Sequence, residues 1–321
     1  MIITFVGTEK GNNSAKKAAA MTAGLLSLAN NKSVCLMQIN YDTIDCVSYM
    51  IGKEMKESAS GSLDAFNTTE ILKGLDALTS KTNSMPVLSA DDVYAATENL
   101  LKTENRLDVL GASKKENFDS EIRSQAKFDS VARVIQSLTS SPDDDTDKIS
   151  FYDHVVIYIP NNCPRIGDLI TMSDMNVCCI RQGEREEPLL NEKNNTFLIT
   201  HFDERSIYNI KYIKKAYSKD DPKAKVFVMP HNVYFKDACI AQDLRRWLVK
   251  NYNPSMDEEN YDFVHAMQNF VDYITDSSAV YEPEPTVKKK KKSEKKKKEK
   301  KIVKPEIESE SINGTVENGN T

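Results

Sequence analysis

The chain has 321 residues, 40% of them hydrophobic, enough to bury one substantial core or two small ones. No apolar run is long enough to cross a bilayer, and no basic segment precedes the first short apolar run, so neither a transmembrane helix nor a secretory leader is expected. Net charge is −5, but the eleven lysines and two glutamates of Lys288–Lys301 contribute +9, leaving −14 on an acidic body with a basic tail. The six cysteines (Cys35, Cys46, Cys163, Cys178, Cys179, Cys239) show no C-x-x-C pair or zinc spacing, and several sit in apolar runs. They read as reduced core residues of a cytoplasmic protein, and the four scattered histidines give no metal-ligand pattern.

In chain order, Ile2, Ile3, Phe5 and Val6 make a short apolar strand. A loop from Gly7 to Lys17 follows, then a small-residue helix from Ala18 to about Ala29, then a second apolar strand at Val34–Met37. An apolar strand feeding a loop with Gly and Lys, then a helix and another buried strand, is how a phosphate-cradling βαβ unit begins. After the second strand, Gln38 and Asn40 stand where amides can cap a strand end. Residues 53–105 are polar and helix-like, with one short helix suggested by Thr69–Leu72 and Gly74–Leu78. Asp91–Lys102 carries Val93, Ala96, Leu100 and Leu101 at helical spacing. A short strand at Arg106–Gly111 and an amphipathic helix over Asp119–Leu138 follow, then an acidic loop at Ser140–Asp147.

Tyr152–Pro160 is the clearest buried strand, a continuous apolar run between turn residues. Three further strands are expected at Asn176–Arg181, Thr196–His201 and Lys225–Met229, with helices at Asp168–Ser173 and Ser206–Tyr217 and within Pro230–Leu248. Met256–Ile274 places Phe263, Val264, Met267, Phe270, Val271 and Ile274 on one helical face. Its many acids oppose an anionic membrane and favour packing on the body or on a second subunit. From Ser277 the chain turns to Pro, Glu and Lys, and disorder is expected. The reading is therefore an α/β domain over residues 1–250 with a mostly parallel sheet and helices on both faces, a C-terminal helix over 251–276, and a tail over 277–321.

The loop and its flanks resemble the ParA/MinD group of deviant-Walker P-loop ATPases, whose motif is K-G-G-x-G-K-[ST] with an early signature lysine. Lys10 and Gly11 stand where the signature lysine and first glycine would be, and one inserted residue makes Lys16 the P-loop lysine. Asn12 and Ser14 then replace glycines, and Lys17 replaces the Ser/Thr whose hydroxyl ligates Mg²⁺. The family's D-x-D acids after the second strand align with Gln38 and Asn40, and the final acid of its Y-D-x-[VI]-[VI]-[VI]-D-x-P strand aligns with Tyr158. The turn at Pro230-His231-Asn232 resembles the family's late I-P-x-[ND] turn, so the likeness covers about residues 1–250. Among the branches, the TadZ-like pilus and secretion accessory proteins look closest.

The resemblance implies a P-loop NTPase-like fold and a nucleotide site at Lys10, Gly11, Asn12, Ser14, Lys16 and Lys17, with ATP or ADP held weakly. With amides at Gln38 and Asn40 and a phenol at Tyr158, Mg²⁺ loses carboxylate support and the attacking water loses its orienting acid. The expectation is a non-hydrolysing or weakly binding scaffold or positioning factor for a pilus, secretion or conjugation machine. Protein partners at the membrane, a homodimer and peripheral membrane attachment accompany that reading. Two alternatives stand beside it: a working nucleotide-switched partition ATPase dimer, and a nucleic-acid-associated protein acting through its tail. The Lys288–Lys301 run carries charge with no interleaved aromatics, so its contacts with anionic membrane or nucleic acid would be non-specific. An unrelated α/β protein whose Lys10 and Lys16 are solvated loop lysines is the plainest reading of all.

Overall fold

The computed structural model describes residues 1–8, 12–60, 74–85, 88–101, 106–139, 152–184, 187–190, 194–217 and 221–276. Among them, eight strands form one sheet in the order β3-β4-β2-β5-β1-β6-β7-β8. These are β1 (Ile2–Gly7), β2 (Val34–Gln38), β3 (Glu98–Asn99), β4 (Leu107–Leu110), β5 (His154–Ile159), β6 (Met175–Arg181), β7 (Asn195–Phe202) and β8 (Lys225–Pro230). Every pairing is parallel except that of β3 with β4. A parallel sheet covered on both faces needs strands that are apolar at successive positions, and the central strands show that pattern. Phe5 and Val156 pack into one core, while Val6, Val155 and Ile157 pack into the other.

The helices that cover the first face include α1 (Asn12–Leu28), α2 (Cys46–Ser60), α9 (Val233–Ile240), α10 (Leu244–Asn251) and α11 (Tyr261–Thr275). The other face carries α3 (Gly74–Thr82), α4 (Ala90–Ala96), α5 (Phe118–Glu121), α6 (Gln125–Thr139), α7 (Ile166–Thr171) and α8 (Ile210–Tyr217). Gly24 of α1 lets α10 approach so closely that a Cβ there would lie 2.6 Å from Leu248. In α11, Phe263, Val264, Met267, Phe270, Val271 and Ile274 are all buried, with Phe270 in ring contact with Phe5 and Phe227. Burying each such side chain stabilises the fold by about 1.5–3 kcal/mol. Asp262 and Asp272 lie on the exposed side of α11. Among the described residues no helix is long and apolar enough to cross a membrane.

The α/β class and its mostly parallel sheet are as the sequence suggests, and four local expectations are corrected. Helix α1 begins at Asn12, six residues before Ala18, because Ala15, Lys16 and Lys17 are good helix formers and continue the helix backwards. Helix α2 was not anticipated as an element of its own; Asp45 caps its start by accepting the backbone N–H and hydroxyl of Ser48 at 3.0 Å. The helix expected to reach Lys102 stops at Ala96, because Thr97 is extended and Glu98–Asn99 pair with β4. The expected single helix over Asp119–Leu138 is two, divided where the Ser124 hydroxyl accepts the N–H of Lys127. Thr69–Leu72, the acidic loop Ser140–Asp147 and the tail lie outside the described residues.

Candidate functional site

The C-terminal ends of β1, β2 and β5 meet at the centre of the sheet, where ligands bind in open α/β folds. Of the residues singled out in the loop, Lys10 and Gly11 lie outside the described residues, and Asn12 opens α1. Ser14, Lys16 and Lys17 therefore belong to the first turns of a helix rather than to a loop. Lys16 is 5% exposed. Its Nζ donates to Asp42 Oδ2 at 2.8 Å and to the carbonyl oxygen of Ile44, and lies 4.7 Å from the centre of the Tyr49 ring.

Asp42 is the residue that organises this end of the sheet, and motif reasoning passed over it. Gln38 Nε2 donates to Asp42 Oδ2 and to Asn40 Oδ1, both at 2.8 Å, while Gln38 Oε1 accepts the backbone N–H of Cys46 at 3.0 Å. Asn40 Nδ2 donates to the carbonyl of Tyr41, and Asp42 Oδ1 accepts the N–H of Ile44. Burial alone would push the Asp42 carboxyl up, but the Lys16 ammonium and the Ile44 and Gln38 donors outweigh it and hold the group below its usual range. Tyr158 pairs across the sheet with Gln38 and is 4% exposed. Burial, then the neighbouring Cys46, Asp42 and Tyr49, pushes its phenol far up, so it stays neutral. The structure thus links Lys16, Gln38 and Asn40 with Asp42 in one hydrogen-bond network, and Tyr158 lies on the neighbouring strand beside Gln38. Asp45 sits beside them, its Oδ2 accepting from Lys114 Nζ at 2.9 Å and from the N–H of Ala112 at 3.2 Å.

These side chains do not suit a magnesium ion held for phosphoryl transfer. An ammonium at Lys17, amides at Gln38 and Asn40 and a neutral buried phenol at Tyr158 offer no anionic oxygen of their own. The near carboxylates are already committed, Asp42 to Lys16 and Gln38 and Asp45 to Lys114 and Ser48.

Lys17 belongs to a different neighbourhood. With Ser14 it lines a cleft of about 30 Å³ on the β7/β8 side, together with Thr200, His201, His231 and Lys236. The two imidazoles stack with ring centres 5.7 Å apart. His201 has a φ of 54°, in the left-handed region that few non-glycine residues adopt, at the irregularity where β7 shifts register against β8. Burial first, then the charges of Arg181, His231, Lys17 and Lys236, lowers the His201 imidazole from its ordinary 6.5.

No protein-family model matches the sequence, and no curated protein matches it. Solved structures do. A ParA family ATPase from Chlorobium tepidum TLS superposes with a TM-score of 0.54 at 12% identity, covering 84% of this chain and 98% of that one. The MinC:MinD cell division protein complex of Aquifex aeolicus gives 0.51 at 10% identity, covering 88% and 98%. Apo McdA from Cyanthece gives 0.51 at 13% identity, covering 84% and 100%. At these identities the likeness is one of fold: a P-loop NTPase-like sheet of the kind found in ParA- and MinD-type proteins.

Proposed function

We propose that this chain is a ParA/MinD-like positioning protein that has kept the architecture of a nucleotide switch without its hydrolytic chemistry, in the manner of the TadZ-like branch. In this reading it serves as a scaffold in a pilus, secretion or conjugation machine, working through protein partners and through its own dimerisation. The observation that carries the reading is the state of Lys16: buried, ion-paired to Asp42 and bonded to the Ile44 carbonyl, and so built into the fold instead of offered to a phosphate. A buried ion pair of this kind resists opening, because parting the charges leaves at least one of them uncompensated in a poorly hydrated place. The amides at Gln38 and Asn40 complete the same network, which explains why acids are dispensable there: a second carboxylate beside Asp42 would repel it. Nucleotide binding then survives only as a weak equilibrium that must compete with Asp42 for Lys16.

Phosphate release measured on purified protein with MgATP, alone and with candidate partners, tests the reading against a Lys16→Ala control. The expected result is turnover no greater than that of the control, with weak heats when MgATP or MgADP is titrated by calorimetry. Clear turnover that disappears in Lys16→Ala would overturn it. Dimerisation that requires nucleotide, seen by sedimentation, would count against a scaffold and for a working switch.

A further inference from the structure

The turn before α8 and the outer side of that helix form a surface that the reading above does not use. Asn209 caps α8 by accepting the backbone N–H of Tyr212 at 3.1 Å. Ile213 and Tyr217, one turn apart, are buried, and Tyr217 meets Phe197 of β7 with ring centres 5.0 Å apart, so the inner side of the helix is pinned to the sheet. Lys211, Tyr212, Lys214 and Lys215 are left exposed. In the turn before the helix Ile207 is 79% exposed, and Tyr208 meets Tyr212 edge-on at 5.2 Å. Charge here runs against that of the rest of the body. Ser206–Tyr217 holds three lysines and no acid, and residues 203–225 carry seven basic and four acidic side chains. Two of those acids are engaged, Asp203 with Arg205 at 3.0 Å and Asp221 with Asn195 at 3.0 Å. The connection before β7 adds the exposed Glu187 and an Arg181–Glu184 pair, and its residues outside the described set, 185–186 and 191–193, hold one base and one acid each. Past the end of α8, a cleft of about 260 Å³ is lined by Lys214, Lys223 and Lys225 together with the buried Phe197 and Val226.

We propose that this side of the molecule is a contact surface for an anionic lipid bilayer. Ile207 enters the boundary between headgroups and acyl chains, Tyr208 and Tyr212 lie at headgroup level, and Lys211, Lys214 and Lys215 face the lipid phosphates. The acids of α11 oppose such a surface, and by the same criterion α8, which has none, suits it. The cleft adds a seat for one headgroup, with ammonium groups for its anionic oxygens and Phe197 and Val226 for adjoining carbons. Its volume is close to the roughly 300 Å³ at which pockets begin to enclose small ligands. Duplex DNA could use the same lysines, but Ile207 offers a base no ring to stack on and gains nothing beside a phosphate backbone. An exposed isoleucine among lysines matches acyl chains beneath anionic headgroups. The Lys288–Lys301 run is a different kind of contact, since it holds no apolar residue. The inference deepens the scaffold reading by naming its membrane contact. It makes no use of Lys16, and phosphate release does not report on α8, so either can fail without the other.

The test uses the full-length chain, whose six cysteines are all buried, so that one added surface cysteine takes a fluorophore selectively. Ala216→Cys, on the exposed side of α8, carries the reporter, and Lys250→Cys on α10, across the sheet, carries the control. Each is titrated with vesicles of phosphatidylcholine and about a third phosphatidylserine that contain a spin-labelled headgroup as quencher. Quenching is expected at position 216 and not at 250, and not with phosphatidylcholine alone. Ile207→Ser should raise the lipid concentration for half-quenching about tenfold, through the lost apolar transfer. Lys211→Gln with Lys215→Gln should raise it by about tenfold or more, through the lost attraction. All three side chains are exposed, so the fold does not depend on them. The tail can hold the chain on vesicles by itself, and in that case both probes respond alike. Equal quenching at the two positions, or quenching at 216 that neither variant weakens, would overturn the proposal. So would a probe at 216 that responds to duplex DNA and not to vesicles, which would give the surface to nucleic acid.

Discussion

Lys16 and Lys17 are neighbours in sequence and opposites in circumstance. Lys16 is sealed against Asp42 and the Ile44 carbonyl beneath the end of β2, and its charge is neutralised from within. Lys17, half-buried, borders an opening where the other charged side chains are also basic. The same residue type, one helical step apart, is tied into the fold by a carboxylate on one side of α1 and lines a cleft beside other basic side chains on the other. Among the described residues, what distinguishes them is the carboxylate that the fold brings to Lys16. A motif is blind to this, because it assigns roles by spacing and says nothing of which partner the tertiary structure brings near.

The largest effect that separates the two sides is one of stability. Lys16→Met leaves Asp42 without its ammonium and Gln38 with a weakened network, and unfolding free energy should fall by about 2 kcal/mol. That is less than the 3–5 kcal/mol for a fully buried pair, since the Asp42 side chain is 27% exposed. Lys17→Met should change it by no more than about 0.5 kcal/mol, or stabilise slightly by removing repulsion. Urea denaturation midpoints of the two variants decide the matter, and equal losses would erase the distinction drawn between them.

A second, smaller effect turns the ion pair around. If Asp42 competes with phosphate for Lys16, Asp42→Asn should bind MgADP about tenfold more tightly, since the fraction of molecules with an available lysine rises. The asparagine oxygen still accepts from Gln38 and Lys16, so the fold tolerates the change. Titration calorimetry on Asp42→Asn and on Asp42→Asn with Lys16→Ala gives the answer: the gain should be absent from the double variant. Unchanged affinity in Asp42→Asn would show that Asp42 is not the barrier.

The sheet was legible because its strands are apolar runs with turn residues at each end. Val34–Met37 and His154–Ile159 could be placed within a residue or two from composition alone. Lys16, Gln38, Asn40 and Tyr158 were found by alignment with a motif, and the structure does place them together. Asp42 was missed because it falls two residues past the motif's acids, and its importance comes from α1 lying over β2. His201 and His231 were invisible for a related reason. Thirty residues separate them, and only the pairing of β7 with β8, which sets Phe202 beside Pro230, stacks one ring on the other. The start of α1 was placed late because glycine and asparagine in Gly7–Asn13 suggest a loop, whereas a helix needs only that the following residues can propagate it.

The smallest effect is the pH dependence that sets the two sides apart in acid. On the Lys16 side, the Asp42 carboxyl has a lowered pKa in the folded protein. Its contribution is therefore full above the ordinary 3.8 and is lost as pH falls through the lower folded value, where the unfolded chain has already taken up the proton. On the Lys17 side the His201 imidazole is also lowered, from 6.5. Above 6.5 both states are neutral; below it the unfolded chain binds the proton first, so stability falls as pH drops toward the folded value. The cost at His201 should be only a few tenths of a kcal/mol, because the residue is exposed and its charge is screened. His154 must be kept apart from this comparison. Burial, then the charge of the N-terminal ammonium, lowers it to about 4, so it produces its own loss between 6.5 and that value. Stability is accordingly measured against pH in a buffer without phosphate, for the wild type, Asp42→Asn and His201→Gln, and only differences from the wild type are read. Asp42→Asn should flatten the curve only below about pH 3.8, and His201→Gln only in the window that opens below 6.5. If both substitutions flatten the same window, the two sides of α1 titrate as one network and the separation between them is wrong.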